Sequence, residues 1–359
     1  MKKIFIIYHD IFLNGYGGVE TVCSNLINLI VRANIEIDFI FISLNETNII
    51  ENRAWLSHAQ HISLASSNCE SRQDIACELS LILEKFYPEM LISLDTTSCN
   101  IARLSCEKIN FPVKTYSWLH TSIRNPTPQK IKDLCCADEH LVISSGLRDQ
   151  MLSFGIKTDK LHLIFNPIKI NPFIIPQPKH TAKFLYVGRI LAYKSKNLTE
   201  LFLALSQLHG YWELHMVGSG EDEGYLKELS SQLNINNNII WHGWQDQPWE
   251  FVMDNIKEVS AFILTSKYEG FGMVLAEAIS YGIYCISSDC QCGPSDIIND
   301  FNGELYKSGS IPELSEKLQL IIDECKIRDY QAIKNSIAFL YEDNFLLRIT
   351  KALPVLAQI

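Results

Sequence analysis

The stretch Ser266-Lys267-Tyr268-Glu269-Gly270-Phe271-Gly272-Met273-Val274-Leu275-Ala276-Glu277-Ala278 sets two carboxylates eight residues apart, with Gly-Phe-Gly between them. With a helix starting near Gly272, Glu269 lies in the preceding loop and Glu277 in the second turn. The amides of Gly272 and Met273 then carry the positive end of the helix dipole, which suits an anion such as phosphate. Carboxylates on either side accept hydrogen bonds from hydroxyls, a chemistry suited to a sugar. Glu277 stands among Val274, Leu275, Ala276, Ala278 and Ile279. A charge in that apolar setting requires a partner. The bland alternative, a capping Glu and an edge Glu, gives no reason for the Gly-Phe-Gly insertion.

Six other segments carry chemistry less specifically. Val187-Gly188-Arg189 is followed by Lys194, Lys196 and Asn197. A guanidinium fork and one ammonium would serve a diphosphate, and solvated surface cations are the alternative. Asn14-Gly15-Tyr16-Gly17-Gly18 precedes a helical pattern, so glycines expose amides at a helix start, or simply turn the chain. Gly218-Ser219-Gly220-Glu221 repeats that strand-then-glycine logic. His120, in Ser117-Trp118-Leu119-His120-Thr121, follows a strand-like run and is either catalytic or structural. Trp241-His242-Gly243-Trp244 places aromatic rings about a glycine, able to stack on a flat base or to pack. For Asp296, in Gly293-Pro294-Ser295-Asp296, helix capping is a sufficient role.

These segments need elements to hold them. Short apolar runs at Ile4–Tyr8, Asp38–Ile42, Met90–Ser93, Leu141–Ile143, Phe184–Val187, Glu213–Val217, Ala261–Leu264 and Tyr284–Ile286 read as strands, several of them apolar at consecutive positions. Such strands are buried on both faces of a parallel sheet. Helical periodicity lies between them at Val19–Ile30, Leu198–Leu208 and Glu313–Ile322. The alternation predicts a doubly wound α/β architecture. The segment from Asn166 to His180 holds four prolines, which exclude a continuous helix or central strand. It predicts a linker at 169–180 between domains 1–168 and 181–340, with a ligand cleft between the facing sheet edges.

Composition excludes several classes. The chain has 359 residues and a net charge of −10, which argues against a duplex nucleic-acid binder dependent on a basic face. Eleven cysteines, an odd number with no Cys-x-x-Cys, fit reduced cytosolic thiols rather than disulfides or a zinc site. The apolar start meets His9 and Asp10, too short for an export signal, and no run approaches a membrane span. Arg124, Lys130 and Lys132 form a small basic group that is either solvated or against anionic lipid.

Taken in order, Gly17-Gly18, Asn166-Pro167, Val187-Gly188-Arg189, Gly218-x-Gly220, the Glu269/Glu277 pair and Gly293-Pro294 resemble retaining nucleotide-sugar glycosyltransferases of the GT-B fold, family 4. Gly-Gly-Val-Glu-Thr, Lys196-Asn197, His-Gly-Trp and Ser-Ser-Asp-Cys-x-x-Gly-Pro are similar to the subgroup of bacterial lipopolysaccharide core UDP-galactose α-1,6-galactosyltransferases. The resemblance implies two Rossmann-like α/β domains, with the segment 341–359 crossing back as a helix to the first. It implies that Arg189 and Lys196, or Lys194 at the spacing common in the family, bind the donor diphosphate. Glu277 would hold the ribose, and Glu269 with Gly270, Phe271 and Gly272 the donor sugar. Gly17 and Gly18 would approach the phosphate, His120 would lie beside the reacting sugar, and Gly243-Trp244 near the uracil.

No metal is expected, since the cations and helix amides would serve the diphosphate and no Asp-x-Asp candidate is present. The implied partners are a UDP-hexose donor and a lipopolysaccharide core acceptor, with peripheral contact at the cytoplasmic face of the inner membrane. Other donors (UDP-glucose, UDP-N-acetylglucosamine), another cell-surface glycan acceptor, and a nucleotide-sugar epimerase of the same fold are the alternatives.

Overall fold

Consecutive apolar residues become central strands because both sheet faces are covered by helices. Ile4 to Tyr8 and Phe262 to Leu264 are completely buried. The architecture is that of a computed structural model, which describes residues 2–11, 13, 17–45, 54–64, 71–324 and 327–357. Asn14, Gly15 and Tyr16 of the first glycine segment lie outside the described residues.

Among the described residues, the first sheet contains β1 (Lys2–Tyr8), β2 (Ile37–Ser43), β3 (Ala59–Ser63), β4 (Met90–Ser93), β5 (Lys114–Trp118), β6 (Glu139–Val142) and β7 (Leu161–Leu163). Its order is β3-β2-β1-β4-β5-β6-β7, with every pairing parallel. The second contains β8 (Ala182–Val187), β9 (Trp212–Val217), β10 (Ile239–Gly243), β11 (Ala261–Leu264), β12 (Cys285–Ser288) and β13 (Gly303–Tyr306). It is also all parallel, in the order β10-β9-β8-β11-β12-β13. Strand order reverses between β1 and β4 and again between β8 and β11. Neighbouring crossovers leave in opposite directions there and open a crevice at the carboxyl ends.

The helix Gly18–Arg32 shows why the pattern folds this way. Its stripe of Val22, Cys23, Leu26, Ile27, Leu29 and Ile30 is buried. The helical pattern at 198–208 ends early, at Leu205, where Ser206 caps it. The strand expected at Tyr284–Ile286 is Cys285–Ser288, although the Tyr284 carbonyl accepts the Phe262 amide of β11 at 2.8 Å.

The chain divides into two compact units, Met1–Pro167 with Glu342–Ile359, and Ile168–Tyr341. The proline-rich segment opens the second unit and is pinned along its length. Ile168 donates to Leu340 at 2.9 Å, Ile175 to Tyr281 at 3.0 Å, and Gln177 to the Tyr330 hydroxyl at 2.9 Å, while the Pro176 carbonyl accepts Val259 at 2.8 Å. The helix Glu342–Ala352 belongs to the first unit, where Glu342 meets Arg32 at 2.8 Å and Arg348 Nε donates to the Ile164 carbonyl at 2.8 Å. The nine described cysteines are free thiols. Among the described residues no helix is long and apolar enough to cross a membrane.

The ends of β8 and β9 touch backbone to backbone. A Cβ on Gly218, whose φ is +140°, would sit 1.9 Å from the Gly188 carbonyl oxygen. Gly218→Ala is therefore expected to cost roughly 2 kcal/mol or more. Gly224→Ala, in a helix with nothing within 4 Å, is expected to stabilise by about 0.5 kcal/mol. Urea unfolding midpoints of the two variants check the contrast.

Candidate active site at the β8–β11 crevice

The site is built where the second sheet reverses. The loop after β8 carries Arg189, Lys194 and Lys196, and the loop after β11 carries Glu269 to Gly272. Lys196 Nζ donates to Glu269 Oε1 at 2.7 Å, joining the two loops across the crevice. Ser266 Oγ donates to the same oxygen at 2.7 Å. The backbones are tied as well. The Thr265 hydroxyl donates to the Lys196 carbonyl at 2.9 Å, and the Lys267 amide to the Ser195 carbonyl at 2.8 Å. Asn197 starts the next helix in the left-handed region, φ 52°, and its amide donates to buried Glu200. Glu200 also accepts the Tyr306 hydroxyl at 2.7 Å and the Gly309 amide at 3.2 Å. This network fixes where Lys196 leaves the backbone.

The two lysines differ sharply. Lys194 is 69% exposed and pairs with Glu221, away from Glu269. Lys196 is 21% exposed and pairs with the loop that carries the Gly-Phe-Gly turn. The Arg189 side chain is exposed, and its carbonyl accepts the Tyr186 hydroxyl at 2.6 Å. Among the described residues its guanidinium enters no ion pair.

The helix Met273–Ser280 begins with Gly272 as N-cap, φ 93°. The amides of Met273 and Val274 have no acceptor within the helix, whereas that of Leu275 already donates to the Gly272 carbonyl at 2.9 Å. Gly270, Phe271 and Gly272 are buried, and the turn is packed from behind by Gly293. A Cβ on Gly293 would lie 1.9 Å from the Phe271 carbonyl oxygen. The Gly293-Pro294 segment thus holds the Gly-Phe-Gly turn in shape, a role its sequence does not announce.

Glu277 sits in the second turn of that helix. Its partner is an indole rather than a cation: Trp249 Nε1 donates to Oε2 at 2.9 Å. Burial raises the Glu277 pKa above 4.5, and the Trp249 bond offsets part of that rise. Trp249 was not among the residues read from sequence; the Pro248-Trp249 pair, an N1 proline followed by an aromatic, was the available signal.

At the carboxyl end of β10, the Gly218 amide donates to the Gly243 carbonyl at 2.8 Å. Trp244 is 47% exposed, with Nε1 bonded to Asp246 at 2.9 Å. His242 instead turns inward and stacks on His215, ring centroids 5.2 Å apart and planes 4° apart. Of this segment, only Trp244 presents a large exposed aromatic face.

The remaining expected residues lie in the first unit. Gly17 is the N-cap of Gly18–Arg32. A Cβ on Gly17 would lie 2.5 Å from a Glu20 carboxylate oxygen, so this helix start already faces a carboxylate. His120 follows β5 with its ring centroid 4.6 Å from that of Trp118. Both ring nitrogens are shielded and have no hydrogen-bond partner among the described residues. Burial pushes its pKa down to about 3, so it is neutral at physiological pH. A base that weak is unsuited to proton abstraction near pH 7, and a neutral hydrogen-bonding role fits it better. Among the described residues no cluster of three His, Cys, Asp or Glu could hold a metal ion.

Because the Glu277 pKa is raised on folding, the folded state holds this proton to higher pH than the unfolded chain does. The group therefore lowers stability as pH rises from about 4.5 through its folded pKa. Glu277→Gln is expected to raise Tm at pH 8 and to leave it nearly unchanged at pH 4, as thermal melts across that range would show.

Comparison with known proteins agrees with this fold. The model of the family described as glycosyl transferases group 1 matches residues 168–337. The chain is 36% identical over 349 residues to the lipopolysaccharide 1,6-galactosyltransferase of Escherichia coli K12, covering 95% of both chains. It is 36% identical to the protein of the same name from Salmonella typhimurium LT2, over 86% of this chain and 87% of that one. A solved structure, the lipopolysaccharide outer core galactosyltransferase WaaB in its apo form, superposes with a TM-score of 0.89 at 34% identity, covering 98% of each chain. An Anabaena protein, HepE, solved with UDP, shares the fold at 14% identity and a TM-score of 0.78. Two all-parallel α/β units, the ordered motifs and a relative spanning almost the whole chain lead to one conclusion: this chain belongs to the group 1 glycosyltransferases, with the GT-B fold.

Proposed function

We propose that the protein transfers a hexose, galactose by its relatives' names, from a UDP-sugar to a lipopolysaccharide core acceptor with retention of configuration. The observation that carries this reading is the Lys196–Glu269 pair at the β8–β11 crevice, beside the N-terminus of the helix that bears Glu277 in its second turn. Two relatives at 36% identity, both lipopolysaccharide 1,6-galactosyltransferases, support the substrate pair. These relatives do not favour the epimerase reading.

In this reading Glu277 accepts the ribose hydroxyls, and the exposed face of Trp244 stacks on the uracil. Lys196 exchanges Glu269 for the diphosphate, assisted by Arg189 and the amides of Gly272 and Met273. Glu269, released, accepts hydrogen bonds from the hexose hydroxyls. The acceptor hydroxyl oxygen forms a bond to the anomeric carbon on the face from which UDP departs. The anomeric carbon–oxygen bond breaks with its electron pair staying on the diphosphate, and a leaving phosphate oxygen takes the acceptor proton. Protein cations stabilise the growing charge on the diphosphate, and no metal is assigned a part. His120, neutral, is assigned hydrogen bonding to a sugar hydroxyl. A lipopolysaccharide acceptor would place the reaction at the cytoplasmic face of the inner membrane, with the protein held peripherally.

The test is a donor panel of UDP-galactose, UDP-glucose and UDP-N-acetylglucosamine with truncated core acceptors, followed by UDP release and product mass. Galactose addition, dependent on acceptor and unaffected by EDTA, is expected. UDP-sugar conversion without acceptor would instead identify an epimerase. Lys196→Ala and Arg189→Ala are each expected to lower kcat about 100-fold or more, and Lys194→Ala to change it by less than about threefold because its exposed pair contributes little. Near wild-type transfer by Lys196→Ala would overturn the diphosphate assignment.

A further inference from the structure

The Glu277 carboxylate has two oxygens, and the structure uses only one. Oε2 accepts the Trp249 indole N–H at 2.9 Å. Among the described residues, no hydrogen bond or ion pair engages Oε1. Trp249 is itself held rigidly. Its ring is 9% exposed, stacks on Tyr281 at 5.4 Å and 22°, and packs against Phe262 at 6.2 Å. Tyr281 caps the same helix that bears Glu277. Trp249 thus fixes the carboxylate plane from an element that follows directly on the Gly243-Trp244 turn.

We infer that Trp249 is a positioning residue for nucleotide recognition: its N–H anchors Glu277 Oε2 so that Oε1 points to the ribose hydroxyls. This rests on the proposed donor role of Glu277. A carboxylate with one oxygen anchored loses less rotational freedom on binding and is already paired against burial, so more of the ribose hydrogen bond survives as affinity. The indole serves better than a cation here, because it supports the carboxylate without neutralising it and without competing for ribose hydroxyls.

The experiment compares binding of UDP and 2′,3′-dideoxy-UDP to wild type, Glu277→Gln, Trp249→Phe and the double variant by calorimetry. Wild type is expected to prefer UDP. Trp249→Phe, which keeps an aromatic ring and removes the N–H, is expected to weaken UDP roughly tenfold while leaving dideoxy-UDP unchanged. In the Glu277→Gln background it should change neither. Equal weakening of both ligands would reduce Trp249 to packing, and unchanged UDP affinity would also overturn the inference. A wild-type protein indifferent to the ribose hydroxyls would instead overturn the role of Glu277. Should Trp249→Phe not fold, wild-type protein carries the test by NMR. One indole N–H resonance must shift with UDP and stay in place with dideoxy-UDP, and its absence overturns the inference.

Discussion

The hydrogen-bonded pair of Lys196 and Glu269 is the interaction on which the second unit's site depends. Neither loop could hold its charge alone in that half-buried crevice, since an unpaired ion there loses hydration without compensation. Paired at 2.7 Å, they draw together loops separated by three helical crossovers. The surrounding bonds serve the same junction: Thr265 to the Lys196 carbonyl, Lys267 to the Ser195 carbonyl, and Ser288 Oγ to the Ser266 carbonyl at 2.6 Å. The last bond brings in the strand beyond, so the ends of β8, β11 and β12 are fixed as a group. In the proposed reaction this arrangement stores the lysine beside a carboxylate until a diphosphate offers it more charge.

Backbone proximity sets the shape around that pair. Gly218 lies against the Gly188 carbonyl and Gly293 against the Phe271 carbonyl, at separations that no side chain permits. The glycines in these motifs therefore act partly by letting one loop lie on another, and only partly by exposing amides to a ligand. That division explains why motifs that look alike on paper, strand then glycine, do different work at the ends of β1, β8 and β9.

Two desolvated ionisable groups depart from their ordinary chemistry for the same cause. Desolvation holds Glu277 partly against ionisation and keeps His120 neutral. For Glu277 the indole of Trp249 returns part of the cost. For His120 no described group does, and both nitrogens are shielded without a hydrogen-bond partner among the described residues. Each group carries an energetic burden in the unliganded protein that a fold selected only for stability would discard.

Much of the architecture was legible from the chain. Buried parallel strands announce themselves as unbroken apolar runs, so β1, β4, β8 and β11 stand out. The edge strands β3 and β7 did not, because half-exposed sequences such as Ala-Gln-His-Ile-Ser carry no such run. The helix Arg72–Phe86 has a weaker apolar stripe, and its capping box, Ser71 with Asp74, is the readable start. The ordered motifs identified the residue types of the site and the family. What they left open was which lysine reaches Glu269, what partners Glu277, and whether His120 carries charge. Those answers depend on strand order and burial, which bring residues 28 and 73 positions apart into contact. Local spacing determines what faces a helix or ends a strand; only the folded sheet decides which strand ends are neighbours.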